Sequence, residues 1–184
     1  MRQAVHTNGD HQTPPLRIAS NNQASANELK HLVDTAWCFT SSALWNNSEF
    51  SSREIQQAKN SIESLLSTGN RKKAFIDFCQ RVLLARHYII KHPGKYIPLP
   101  SAWLDKENKF GFFGTKAWMD RVNNMRQSLP AYKQEIKAMA EAVLELSQEP
   151  SAGNYNYWRS YFIDHRSPGL LQLFQLNAVH QIYN

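Results

Sequence analysis

Apolar residues at Leu29, Leu32, Val33, Ala36 and Trp37 recur at steps of three and four, the period of one helical face. That spacing predicts a first helix, with Ser25 or Asn27 available as its cap. After a polar break at Asn46-Asn47-Ser48, Ser51 and Glu54 form a capping box in which each side chain is expected to accept the other's backbone N–H. Ile55, Ala58, Ile62, Leu65 and Leu66 then mark one face of a second helix, closed by Gly69. The third pattern, from about Arg71 to Lys91, is the strongest. Phe75, Cys79, Val82, Leu83, Ile89 and Ile90 share one arc, while Lys73, Asp77, Arg81, His87 and Lys91 fall opposite. Arg86 interrupts the apolar arc. An unpaired cation there would cost several kcal/mol, so either a neighbouring helix supplies a carboxylate or carbonyls, or Arg86 points into a groove to meet an anion.

His92-Pro93-Gly94 ends this helix, because the residue before proline is pushed out of the helical region. The interval from Tyr96 to Thr115 has no helical period and is too rich in proline and glycine for an inner strand. Pro98 and Pro100 should hold it extended, with Ser101 capping a one-turn helix that directs Trp103 into a pocket. Phe110, Phe112 and Phe113 should pack inward around turn glycines. Thr115 then caps a fourth helix through Trp118, Met119, Val122, Met125 and Leu129. A fifth begins at Pro130, proline's favoured first position, with Tyr132, Ile136, Met139, Ala140, Val143 and Leu144 inward. Its lysines, Lys133 and Lys137, come early and its acids, Glu141, Glu145 and Glu149, come late, against the helix macrodipole. Such a misfit suggests that the late acids have other partners, among them Arg86 or its basic neighbours. Tyr155, Trp158, Tyr161 and Phe162 mark a short aromatic helix, and Ser167-Pro168 opens a last one through Leu170, Leu171, Phe174, Ala178 and Ile182.

No segment of useful length alternates with period two. The expected fold is therefore all-α: a single domain of five to seven helices over residues 25–184, with a long irregular connection between the third and fourth. Residues 1–24 hold too few apolar side chains to offset ordering entropy and are expected to form a disordered tail.

The chain has 184 residues and a net charge of +6, unevenly placed. From Arg71 to Arg126 there are twelve Lys and Arg against four acids, whereas the remainder is slightly acidic. Concentrated positive charge attracts phosphates and anionic surfaces. The candidates for phosphate contact are Arg71, Lys72, Lys73, Arg81, Lys91, Lys95, Lys106 and Lys109, with Tyr96, Pro98, Pro100, Trp103, Phe112 and Phe113 as structural anchors. Cys38 and Cys79 sit in apolar contexts without metal or redox spacing, which reads as two buried, reduced thiols. The opening residues lack the apolar core of a signal peptide, and no segment approaches ~20 continuous apolar residues. A cytoplasmic protein without membrane contact is expected.

Catalytic signatures are missing from the sequence. His87 and His92 are five apart, which does not put both on one helical face, and no His-Glu-x-x-His pattern occurs. Neither a Gly-x-Ser-x-Gly elbow nor a phosphate loop is present. The expectation is a non-enzymatic protein that needs no metal or cofactor. Gly111-Phe112-Phe113-Gly114 has the glycine spacing of loops that clamp RNA backbones, but with apolar residues where those loops are polar or basic.

Tyr96, Pro98, Pro100, Ser101, Trp103 and Leu104 follow a basic helix in an order that resembles a short motif of phage replisome-organiser and primosomal helical proteins. The resemblance covers about a tenth of the chain and implies DNA replication or mobile-element work. Together with the central charge it sets the functional expectation: a nucleic-acid-associated accessory protein contacting phosphates through the basic region. The competing expectation is a helical protein-interaction module or homodimer that uses its Tyr and Trp side chains as anchors.

Overall fold

The helix expected from Arg71 to Lys91 forms with those bounds, and other helices pack along three of its sides. The computed structural model describes residues 16–46, 48–92, 99–105, 120, 124, 130–165 and 168–183. Among them the fold is all-α, with seven helices and no strand. These are α1 (Leu16–Trp45), α2 (Ser52–Leu66), α3 (Arg71–Lys91), α4 (Pro100–Leu104), α5 (Pro130–Gln148), α6 (Ala152–Asp164) and α7 (Pro168–Tyr183). One cluster of buried apolar side chains draws on all seven.

Helix α1 is longer than its apolar period suggests. It begins at Leu16, inside the segment expected to be a tail, so Ser25 lies within the helix rather than capping it. Residues 1–15 lie outside the described residues. Helix propagation is cooperative, so an established α1 can extend backward through polar residues. Gln23 and Asn27 support this stretch with a side-chain bond one turn apart, at 3.1 Å. The C-terminal half is buried almost all round, including Thr35, Thr40, Ser41 and Ser42. Thr40 and Ser42 satisfy their hydroxyls on the carbonyls of Ala36 and Cys38, one turn back. Asn46, at φ 49°, ends the helix in the left-handed conformation that asparagine tolerates.

Helix α3 also buries more than the single arc that its pattern marks. Phe78, Gln80, Leu84 and Ala85 join Phe75, Cys79, Val82 and Leu83 in the interior, because α1, α2 and α5 all pack on it. Ile90 departs from expectation. It is 63% exposed, since it lies in the last turn, beyond the cover of these neighbours. Arg86 takes the simpler of its two options: its guanidinium donates to the Ala43 carbonyl of α1 at 2.8 Å.

The Ser51–Glu54 box forms by half. Ser51 accepts the Glu54 N–H at 3.2 Å, but the Glu54 carboxylate reaches across to accept the backbone N–H of Ser101 at 2.7 Å. Glu54 thus caps α4, a helix whose own N-cap, Leu99, has no polar side chain to offer. Ser101 is therefore not the cap, and Pro100 is the first helical residue rather than part of an extended run, a position that suits its fixed φ. The cap seats Trp103, 2% exposed and edge-on to Trp45 at a centroid distance of 5.7 Å. Trp103 thereby takes the anchoring role expected of it. The other expected anchors Tyr96, Pro98, Phe112 and Phe113 lie outside the described residues. So does the fourth expected helix, apart from Asp120 and Asn124, both exposed.

Helix α5 carries Ile136, Met139, Ala140, Val143 and Leu144 inward as expected, joined by Ala138, Ala142 and Leu146. Small alanines let α3 and α7 approach it closely. Its late acids pair locally. Glu141 lies 3.7 Å from Lys137, and the Glu145 carboxylate accepts the Trp158 indole N–H at 2.7 Å, so neither serves Arg86. In α6, Trp158 and Phe162 are buried, with Tyr155 and Tyr161 half-buried beside them. A shared device finishes α3 and α6. His92 and His165 each stack on the tyrosine one turn earlier, Tyr88 or Tyr161, and bond that residue's carbonyl through Nδ1 at 2.9 and 2.8 Å. In α7, Asn177 is 1% exposed, with neither side-chain polar atom partnered among the described residues.

Cys79 is fully buried as expected, whereas Cys38 is only partly so. Burial pushes the Cys79 thiol well above its ordinary pKa. Cys38 is raised too, chiefly by burial, with Lys59 opposing and Asp34 adding.

Two outcomes follow for α4 and the thiols. Trp103→Ala should cost about 3–5 kcal/mol and Glu54→Ala about 1–2 kcal/mol in urea unfolding. The double variant should fall short of their sum by more than ~0.5 kcal/mol, because both act through docking of α4; additive losses would refute that coupling. In a thiol-reagent time course at mildly alkaline pH, Cys38 should react in the native protein and Cys79 only as the chain unfolds. Because folded Cys79 holds its proton more tightly than the unfolded chain does, its contribution to stability is full below the ordinary thiol range and falls as pH rises beyond it.

Candidate functional site

Of the eight cations proposed from the sequence, five lie among the described residues, and these five do not share one surface. Arg71 is half-buried, and its guanidinium donates to both the carbonyl and the hydroxyl of Ser25, at 2.7 and 2.8 Å, with Glu28 at 3.8 Å. It ties the start of α3 to α1, and those bonds occupy it. Arg81 is half-buried in a groove between α2 and α3 beside Leu65, Thr68, Asp77 and Phe78. Lys91 is exposed at the far end of α3, about 28 Å along the axis from Lys72 at 1.5 Å per residue. Burial, and secondarily the charge of Lys91, depress the pKa of the nearby His87 imidazole. Lys95, Lys106 and Lys109 lie outside the described residues.

Lys72 and Lys73 are brought together with two residues that the charge count alone did not single out. A groove of about 500 Å³ runs between the first half of α3 and the first half of α5. Lys72 and Lys73 line one wall, and Lys133 and Lys137 line the other. Ile76 and Gln80 also line the groove, as do Asn70 and the carboxylates of Asp77 and Glu141. All four lysines are exposed and therefore solvated. The Asn70 side chain caps α3 by accepting the Lys73 N–H at 3.1 Å, which fixes the turn that carries Lys72 and Lys73. Four cations against two carboxylates leave the groove net positive. The misplaced charge order of α5 was the available clue: its early lysines sit against their own helix dipole and beside two more lysines, a cost that a bound anion would offset.

Lysine suits this chemistry as a compact point charge that can meet any phosphate oxygen, without the planar fork that reads a base edge. Among the described residues no group of three or more His, Cys, Asp or Glu comes together in a way that could hold a metal ion. A second groove, between α2 and α4, is lined by Gln57, Asn60, Ser61, Ser64, Ser101 and Asp105, with no cation among its described lining residues. Among the described residues no helix is long and apolar enough to cross a membrane. The chain matches no family model, no curated protein and no solved structure.

The two neighbours at the start of α3 should separate cleanly in experiment. Arg71→Ala should lower unfolding free energy by about 1.5–3 kcal/mol, the worth of charge-assisted bonds in a partly buried place, while Lys72→Ala should stay within about 0.5 kcal/mol of wild type. Equal losses in chemical denaturation would contradict the division of Arg71 into structure and Lys72 into surface.

Proposed function

We propose that this protein is a non-enzymatic, nucleic-acid-associated accessory protein whose phosphate contacts are made by Lys72, Lys73, Lys133 and Lys137. The observation that carries this is the convergence of four lysines from two helices on one groove. Arg71 and Arg86 already donate to backbone carbonyls through one guanidinium nitrogen each, which favours the exposed groove lysines over them as the main contacts. Lysine-only contact makes affinity electrostatic and sequence-tolerant. The resemblance of Tyr96 to Asp105 to a replisome-organiser motif favours a replication or mobile-element setting for the same activity.

Binding to a mixed oligonucleotide pool should weaken linearly in log affinity against log salt between ~50 and ~200 mM, and each groove lysine changed to glutamate should lower the slope by at least ~0.7–0.9. Lys91→Glu, remote from the groove, should change affinity less than Lys73→Glu. Affinity indifferent to salt would overturn the proposal.

A specific feature favours a second role. Tyr157 and Ile163 of α6 and Leu176 of α7 are exposed apolar side chains on two helices that pack together. Such side chains serve as anchors in protein contacts. A stable homodimer by light scattering, with no retention of the oligonucleotide pool, would favour that role over phosphate binding.

A further inference from the structure

Lysine contacts to phosphates carry no sequence information by themselves, so a base preference has to come from the other residues that line the α3–α5 groove. Three of these can address a base edge: Asn70, Asp77 and Gln80. The Asn70 side-chain oxygen is already taken by the Lys73 N–H at 3.1 Å, and Gln80 is 7% exposed, which leaves its amide little reach. Asp77 differs from both. It is half-buried and charged, yet among the described residues its carboxylate forms no ion pair and accepts no hydrogen bond. An anion in that position repels a strand of phosphates unless the strand also brings N–H donors to it.

The bases are those donors, and they are unequal. A carboxylate has two oxygens and can only accept. Adenine and cytosine each offer one amino group, and thymine a single ring N–H. Guanine alone of the four presents a ring N–H and an amino group side by side on its Watson–Crick edge, with the O6 acceptor next to them. Two carboxylate oxygens match those paired donors bidentately. O6 then needs a donor on the same side. Lys73 precedes Asp77 by four residues, so the two share a face of α3 about 6 Å apart along its axis. The Lys73 ammonium is exposed and has three N–H groups, enough to serve O6 and a phosphate together.

Resting on the phosphate-binding function proposed above, we infer that Asp77, assisted by Lys73, gives the groove a preference for strands that carry an unpaired guanine. Lys72, Lys133 and Lys137 hold phosphates whatever the base. Asp77 opposes a strand without guanine and holds a strand that has one.

Fluorescence anisotropy on the full chain tests this with two labelled probes at one salt concentration: an oligo-dT of about 15 nucleotides, near the upper end of single-strand site sizes, and the same strand with one central dG. The dG strand should bind about tenfold tighter, within the range of one bidentate base contact. Inosine in place of that guanine, which lacks the amino group, should lose most of the gain. Asp77→Ala should move the two probes in opposite directions. Oligo-dT should bind about two- to fivefold tighter, the scale of one exposed charge, while the dG strand weakens until the two are equal. Asp77→Asn, closest to the native shape, should lose the dG advantage as well, and thermal melts of both variants establish that they remain folded. Equal affinity of the wild-type protein for both strands, with salt dependence retained, would overturn this inference and leave phosphate binding intact. A dG advantage that survives either folded Asp77 variant would overturn it too, since another residue would then be reading the base. Salt-dependent binding of neither strand would overturn both this inference and the function on which it rests.

Discussion

Helix α3 has to be covered on nearly every side, and much of the structure follows from that. Its buried set, from Phe75 to Ala85, extends past any single face, so α1, α2 and α5 must all close on it. An element enclosed in this way cannot keep charged side chains along its middle unless each finds a partner. Arg86 meets the requirement through the Ala43 carbonyl, and Arg71 through Ser25 at the helix start. Fully solvated cations remain only where cover ends: Lys72 and Lys73 in the first turn, and Lys91 in the last. The position of the groove lysines is thus a by-product of how the core is sealed.

Long periodic segments could be read directly from the residues. Ala58, Ile62 and Leu66 of α2, and Ile136, Met139, Ala140, Val143 and Leu144 of α5, are buried where their spacing put them. Local periodicity loses its information where several neighbours cover one helix, which is why Phe78 and Leu84 escaped the single arc drawn for α3. It says little about helix ends, where cooperative extension carried α1 back to Leu16 and lack of cover exposed Ile90. Capping boxes have a related weakness. The Ser51–Glu54 spacing correctly placed the start of α2, yet the carboxylate serves a backbone N–H 47 residues away, a partner that no sequence window contains.

The candidate site was half visible for the same reason. Lys72 and Lys73 stood out in a basic stretch, but Lys133 and Lys137 lie in the balanced part of the chain and acquire meaning only when α5 packs against α3. Arg71 and Arg81 counted equally with them in a charge tally. Their half-burial and, for Arg71, its bonds to Ser25 assign them to other places. Charge counting measures how much positive potential is available, while packing decides which part of it faces a common space.

The lysine groove also bears on how folding and ligand concentration are linked. Assembling α3 against α5 gathers like charges that the unfolded chain keeps apart, so the empty native state carries a repulsion that disappears on unfolding. Any polyanion that occupies the groove and ignores the unfolded chain removes that penalty and adds RT ln(1 + [L]/Kd) to the stability. At a free concentration of 100 Kd this amounts to ~2.7 kcal/mol. The melting temperature of this protein would then be a property of the mixture it sits in, rising with groove occupancy and falling as salt strips the ligand away.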